Sequence, residues 1–227
     1  MIDPGPKDRV ALVTDGNNPF GIGAAIARAL ASHGARVFVH YLCQPSGLPD
    51  DRCDRHATGS PGLAFFYQQQ AKTAEEVVAS IREAGGEAKS WEVDLSEPDS
   101  ADRLFERAEG AFGHVVILVN NAAHYSADTF VRPEASDGDP VLWEDGPTVE
   151  TIDSSTHDLH LGVNCRAVAL LMRAFAGRII QRQRQWGRII NISADCARER
   201  CRIAPASMHW SHTAEVRPRN WAPTASR

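Results

Sequence analysis

Arg9-Val-Ala-Leu-Val-Thr-Asp-Gly-Asn-Asn-Pro-Phe-Gly-Ile-Gly23 decides how the rest of the chain is read. Val10–Val13 is a short apolar run, as a buried strand requires. Gly16, Gly21 and Gly23 follow it and lead into residues 21–33, where apolar side chains recur at helical spacing. A strand, a glycine-bearing turn and a helix start bring backbone close to a dinucleotide pyrophosphate, and the free N–H groups at the helix N-terminus hold its charge. Glycine at these three positions permits positive φ and close phosphate approach. An isolated match of this kind is more often a plain strand–helix turn, so the remaining segments carry the argument.

Those segments repeat the alternation. Residues 35–41 (ARVFVHY) read as a second strand, after Gly34 has closed the first helix as a C-cap. Residues 42–62, rich in Pro, Gly, Asp and Arg, read as a surface insertion reaching to about residue 70. Thr73-Ala-Glu-Glu76 is a capping box for a helix ending near Ala84. Residues 88–93 form a third strand ending at Asp94, and Ser96-Glu-Pro-Asp99 opens a helix to about Phe112. The run Val115–Asn120 (VVILVN) suits a strand buried on both faces. A long loop over 124–150, a helix over 155–185 with soft points at Gly162 and Gly177, and a fifth strand over 188–192 complete the series. The order βαβαβαβαβ implies an α/β fold with a doubly wound parallel sheet and right-handed crossovers.

Composition narrows the class. The chain has 227 residues, 43% of them hydrophobic, and a net charge of −5, which is ordinary for one globular α/β domain. No window nears the roughly 20 apolar residues of a membrane span, and the polar start has no secretory h-region. Cys43, Cys53, Cys165, Cys196 and Cys201 show no disulfide framework, so a reducing cytoplasm is the expected location. The mild acidity argues against nucleic acid as a partner.

With these segments in order, residues 7–195 resemble the short-chain dehydrogenase/reductase family, closest to its 3-oxoacyl-carrier-protein reductase-like branch. The family's Thr-Gly-x-x-x-Gly-x-Gly loop matches Thr14, Gly16, Gly21 and Gly23, with Asn17, Asn18 and Ile22 inside a longer turn. Its adenine-contacting Asp after the third strand matches Asp94, followed by Leu95. Its Asn-Asn-Ala-Gly segment appears as Asn120-Asn121-Ala122-Ala123, and its helix Asn as Asn164. The resemblance implies a Rossmann-type three-layer αβα sandwich, incomplete at its C-terminal side. The implied cofactor site comprises Thr14, Gly16, Asn17, Asn18, Gly21, Ile22, Gly23, Tyr41, Asp94, Leu95, Asn121, Ala122 and Ala123. The NAD form of such sites usually has a carboxylate after the second strand. Here the strand ends Val39-His40-Tyr41-Leu42 without one, so NADP is expected, with NAD as the alternative; His40 and Arg52 are the candidate basic partners.

Catalysis in this family needs Ser, Tyr and Lys: Tyr exchanges a proton with the substrate oxygen, Lys lowers the Tyr pKa and holds the ribose, and Ser polarises the carbonyl. Ala194 falls on the Ser position, with Ser193 before it as a substitute, and Asn164 is the other catalytic candidate. No Tyr follows Tyr125 and no Lys follows Lys89, so the Tyr-x-x-x-Lys pair is absent. Residues 196–227 hold six Arg, two Glu and neither Lys nor Asp, and read as a disordered tail outside the family's pattern. Read one base out of frame, that tail permits Ser-Tyr-x-Ala-Ser-Lys at the family's spacing, and forces Ala-Leu across Met208-His209-Trp210 and Leu-Gly across Asn220-Trp221-Ala222. An out-of-frame translation from about residues 196–201 onward is therefore expected, and the gene sequence across codons 190–227 tests it. Cys196, Cys201, His209 and His212 are poorly spaced for zinc, and no metal is expected.

The resemblance thus implies reversible hydride transfer between NADP(H) and a small carbonyl or secondary alcohol, with impaired catalysis in this chain. A dinucleotide-binding pseudoenzyme or a fragment without function are the alternatives. Family members are usually homo-oligomers, and residues 155–185 are the stretch to retain such a face. Without later strands, the outer edge of the fifth strand is expected to be bare. His124, Tyr125 and His160 read as loop and helix-face residues.

Overall fold

The computed structural model describes residues 5–44, 63–126, 128–129, 150–193 and 214–215. Each apolar run becomes a strand: Val10–Val13 (β1), Arg36–Tyr41 (β2), Glu87–Glu92 (β3) and Val115–Asn120 (β4). Asp128–Thr129 (β5) and Glu150–Thr151 (β6) form a separate two-residue parallel pair. Arg188–Asn191 (β7) and Ala214–Glu215 (β8) complete the main sheet, whose order is β3-β2-β1-β4-β7-β8. The first five of these are parallel neighbours, and β8 joins antiparallel. The strand order reverses between β1 and β4, which places a crevice at the carboxyl ends of both strands.

Alternation along β1 builds the layers. Val10 and Leu12 enter one core with Phe38, Leu104, Phe105, Leu118, Phe175 and Ile179. Ala11 and Val13 enter the other with Ala27, Val37, Val39, Val77, Val78 and Ile81. Helices Ile22–Ser32 (α1) and Glu75–Glu83 (α3) supply the second core; Leu63–Gln70 (α2) precedes α3 in the chain. Ser100–Phe112 (α4) and Val168–Gln181 (α6) cover the first core, and Ser154–Leu161 (α5) precedes α6. This is the expected doubly wound αβα sandwich. Across the outer face of α4, Glu109 receives both ends of the Arg182 guanidinium, and Arg178 lies 3.4 Å from the same carboxylate. Burial pushes the Glu109 carboxyl up, but the hydrogen bond and charge of Arg182, with Arg178, hold it below the usual range.

Several boundaries differ from the sequence reading. Of the expected surface insertion over 42–70, residues 45–62 lie outside the described residues, and its last part is α2. The capping box at Thr73 does not form: α3 is capped by Ala74 without a side-chain bond, and the Thr73 hydroxyl accepts from Glu75 N instead. A complete box sits at α5, where Asp153 accepts from Thr156 N and the Thr156 hydroxyl accepts from Asp153 N. Residues 95–99 are turns, and α4 begins only at Ser100. The expected helix over 155–185 is α5, a π-helical turn at Gly162–Ala167, then α6 ending at Gln181. Gly162 opens the π turn, whereas Gly177 lies in regular helix. The edge of the fifth strand is not wholly bare, since β8 pairs with Arg188 and Ile189. Beyond β8, the tail lies outside the described residues, as do Arg52 and the four Cys and His considered for zinc. Gly34, at φ +84°, closes α1 as expected.

Candidate functional site

The turn after β1 is fastened from three sides. Thr14 is fully buried; its Oγ1 donates to Val119 O at 3.3 Å and accepts from Asn121 N and Ala122 N, both at 2.9 Å. Asn121 Nδ2 donates to Thr14 O at 3.1 Å and Asp15 O at 3.0 Å. Thr14 and Asn121 thus lock the turn to the end of β4 rather than presenting side chains to a ligand. A Cβ on Gly23 would lie 2.1 Å from Asp15 O and 2.7 Å from Asn121 Nδ2; one on Gly16 would lie 2.6 Å from Val39 Cγ1. Those two glycines are required by the approach of protein to protein. None of Gly16, Gly21 and Gly23 has positive φ; the left-handed residue is Asp15, at φ 57°. Asp and Asn tolerate that conformation better than other side chains.

His40 is not a partner for a 2′-phosphate. It is 2% exposed; Nε2 sits 2.8 Å from Val93 O, and Nδ1 accepts from Asp15 N at 3.3 Å. This geometry assigns the neutral tautomer with its proton on Nε2. Burial lowers the His40 pKa to about 4, against the raising effects of the Val93 bond and of Asp94 and Glu92. The ring clamps β1, β2 and the end of β3 together. Burial also raises the Asp15 carboxyl to about 6.

The two asparagines of the long turn serve the turn itself. Asn17 Nδ2 donates to Gln70 O and Lys72 O, both at 2.9 Å, which docks the turn on the end of α2. Asn18 Oδ1 accepts from Phe20 N at 3.0 Å. Gly21 caps α1 with no side-chain bond, and the first turn of α1 holds no acid, so its N–H groups are open to an anion. Ile22 is 61% exposed beside it. Tyr41 turns away, packing against the α1–α3 core.

At the crevice lies a cleft lined by Asp15, Leu42, Asp94, Leu95, Ala122 and Ala123 on the strand side. Asp94 accepts from Ser96 N at 2.7 Å, which fixes its carboxylate at the end of β3. The opposite wall was not legible in the sequence: Phe66, Tyr67 and Gln70 come from α2, and His124 and Tyr125 from the segment after β4. Among the described residues no Lys or Arg lines it. Asn164, in the π turn, clasps the same segment: its Oδ1 accepts from His124 N at 2.7 Å and its Nδ2 donates to His124 O at 2.9 Å. The rings of His124 and His160 meet edge-on at 5.0 Å. His124 and Tyr125 are therefore cleft residues, and His160 backs one of them. Ser193 is exposed past the end of β7 and is not among the cleft-lining residues. Beside it Asn120 Nδ2 donates to Asn191 Oδ1 at 2.7 Å.

Comparison with known proteins matches this geometry. Residues 45–206 match the family model for short chain dehydrogenase. An uncharacterized oxidoreductase of Bacillus subtilis, YjdA, is 27% identical over 190 residues, which is 83% of this chain and 57% of that protein. A 3-oxoacyl (acyl-carrier-protein) reductase of Agrobacterium tumefaciens, solved with NADP bound, superposes with a TM-score of 0.58 at 25% identity, covering 90% of this chain and 59% of its own. A metagenomic short-chain oxidoreductase in complex with NADP gives 0.57 at 29% identity, covering 89% and 68%. The chain spans little more than half the length of the curated relatives it matches. No described helix is long and apolar enough to cross a membrane. A turn locked to β4, an uncapped α1 and a cleft at the sheet's reversal point, together with a family match over most of the sequence, lead to one conclusion: this chain belongs to the short chain dehydrogenase family of oxidoreductases.

Proposed function

We propose that residues 1–195 form a dinucleotide-binding domain that takes NADP(H), NAD(H) being the alternative, and that the chain descends from an enzyme interconverting a small carbonyl and its alcohol. One observation carries this reading: α1 follows the turn after β1 with no side-chain cap, and Asp15 of that turn lines a cleft with Asp94, Leu95, Ala122 and Ala123. The fit is sound on the backbone side. The α1 N–H groups face no capping side chain, and Ala122 and Ala123 leave the wall smooth. Bound there, a nicotinamide would supply or accept a hydride. The chain's own residues position it: Thr14 and Asn121 hold the turn, Asp94 offers a carboxylate toward an adenine amino group, and Asn164 fixes the His124 backbone. The NADP-bound neighbours and the lack of an acid at the end of β2 support the phosphorylated cofactor.

Turnover by this chain is strongly impaired in this reading. The Tyr and Lys that would move the proton are missing from the sequence, and Ser193 sits outside the described cleft lining. Proton transfer by such a group contributes typically about 10²–10⁴-fold. A reducing, cytoplasmic setting agrees with the unpaired thiols of Cys43 and Cys165. The second reading, a binding protein without turnover, is favoured by the same missing pair. Fluorescence titration of the purified chain with NADPH, then a carbonyl-reduction assay, separates them. Saturable binding with turnover more than about a hundredfold below that of an intact family member supports the proposal. Absence of binding to either dinucleotide overturns it, and turnover at an ordinary rate overturns the impairment.

A further inference from the structure

Asp15 lies between Thr14 and Gly16 in the turn after β1. Its backbone does the work of the turn: its N–H donates to His40 Nδ1 and its carbonyl accepts from Asn121 Nδ2. Its carboxyl has no such use. It lines the dinucleotide cleft, and among the described residues no hydrogen bond or ion pair engages it. The groups that face it are few. From β2 comes His40, neutral and fully engaged; from the end of β3, the second carboxylate, Asp94. From α2 comes Tyr67, and from the segment after β4, His124 and Tyr125. The start of α1, Ile22 to Ala24, carries no ionisable group. No cation among the described lining balances Asp15.

Resting on the dinucleotide reading above, we propose that Asp15 sets the strength of dinucleotide binding: its carboxyl takes up a proton as the anion enters. Binding then weakens as pH rises, and weakens more for NADP(H), which adds a 2′-phosphate to the charge. The free carboxyl titrates at about 6. A nearby anion favours the neutral acid, so the bound complex holds the proton to higher pH. Affinity is therefore level below the free value and declines above it, until the bound form ionises as well. The expected total decline is on the order of tenfold for one neighbouring charge at the dielectric of a partly open cleft.

The test is titration of the full chain and of Asp15→Asn with NADH and NADPH, from about pH 5 to 8. NADH is the clean arm, because the 2′-phosphate of NADPH itself titrates near pH 6. The expected result is a decline of about tenfold in NADH affinity for the wild type, a level profile for D15N, and D15N binding tighter above pH 7. Calorimetry in two buffers of different ionisation enthalpy shows proton uptake in the wild type alone. Asp15→Gly, which also suits the left-handed backbone, repeats the D15N result should the asparagine disturb the turn. Parallel pH profiles overturn the proposal, as does weaker binding by both variants, which would make Asp15 a ribose-hydroxyl acceptor. Failure of all three proteins to bind either dinucleotide at any pH overturns the dinucleotide reading itself. That outcome is distinct from parallel profiles, in which binding is retained.

Discussion

Asp15→Asn also tests the site without any ligand, through folding stability. The carboxyl titrates at about 6 in the fold, against an ordinary 3.8. Between those values the folded state holds the proton and the unfolded state has lost it, so stability falls as pH rises. At about 1.4 kcal/mol per pH unit the cost is about 3 kcal/mol by neutral pH. His40 acts in the opposite sense. It titrates at about 4 rather than 6.5, so the unfolded state binds the proton first as pH falls. Its contribution is complete above 6.5 and is lost toward 4, again about 3 kcal/mol. The two groups are joined through the Asp15 N–H bond to Nδ1, and their slopes nearly cancel across that window. Asp15→Asn removes one slope and uncovers the other. Urea unfolding from about pH 4 to 7.5 should show D15N equal to the wild type at the acid end and about 3 kcal/mol more stable at the neutral end. Contributions from the remaining carboxylates drop out of the difference. Parallel stability profiles would refute the reasoning, because they would mean that the carboxyl is solvated and not confined in the cleft wall.

Gly23→Ala should destabilise the fold by about 2 kcal/mol, since the new Cβ would overlap Asp15 O and displace Asn121; urea midpoints measure this, and NADPH titration should show binding lost. Asn164→Ala removes both bonds to the His124 backbone and should cost about 2 kcal/mol, with faster amide exchange over residues 124–126. Arg182→Ala leaves the half-buried Glu109 with Arg178 and the Val115 backbone and should cost about 1–2 kcal/mol at neutral pH. Because Glu109 is held below its ordinary 4.5, that difference should shrink as pH falls through the acid range, as denaturation at two pH values would show.

The sheet was legible because burial on both faces writes itself into composition. Val115–Asn120 has no reason to be continuously apolar unless helices cover both sides. α1 was equally plain, since its small residues repeat at the spacing that meets β1 and β2. What escaped was structure whose cause lies elsewhere in the chain. Leu63–Gln70 is short, and its end is held by Asn17, more than fifty residues earlier. The pairing of β8 with β7 is antiparallel and only two residues long, too little to mark a sequence. The glycines lie in the expected turn, but none has the positive φ that the sequence suggests there. They look like phosphate-approach positions, but Gly16 and Gly23 answer to Val39 and Asp15 O. Asp15, inside the deciding stretch, carries no signal of its surroundings, because the fold decides which groups share its cleft; among the described lining residues none is Lys or Arg. His40 misled for the converse reason: a histidine at a strand end looks basic until both nitrogens are found buried and bonded.

The separation of binding from chemistry proposed for this chain has a physical basis. Among the described residues, both core clusters draw on positions up to Ile190, in the sheet from β3 to β7 and its two helix layers. Among the described residues, the turn after β1 is held by that part, through Thr14, Asn121 and His40. The family's proton-handling Tyr and Lys would come after β7, where this sequence has neither. Loss of that later stretch would remove the proton relay and the substrate wall, and leave the anion-binding turn standing. On the proposed reading, a fold assembled in this order retains its affinity when it loses its reaction, so dinucleotide binding and turnover are to be measured separately.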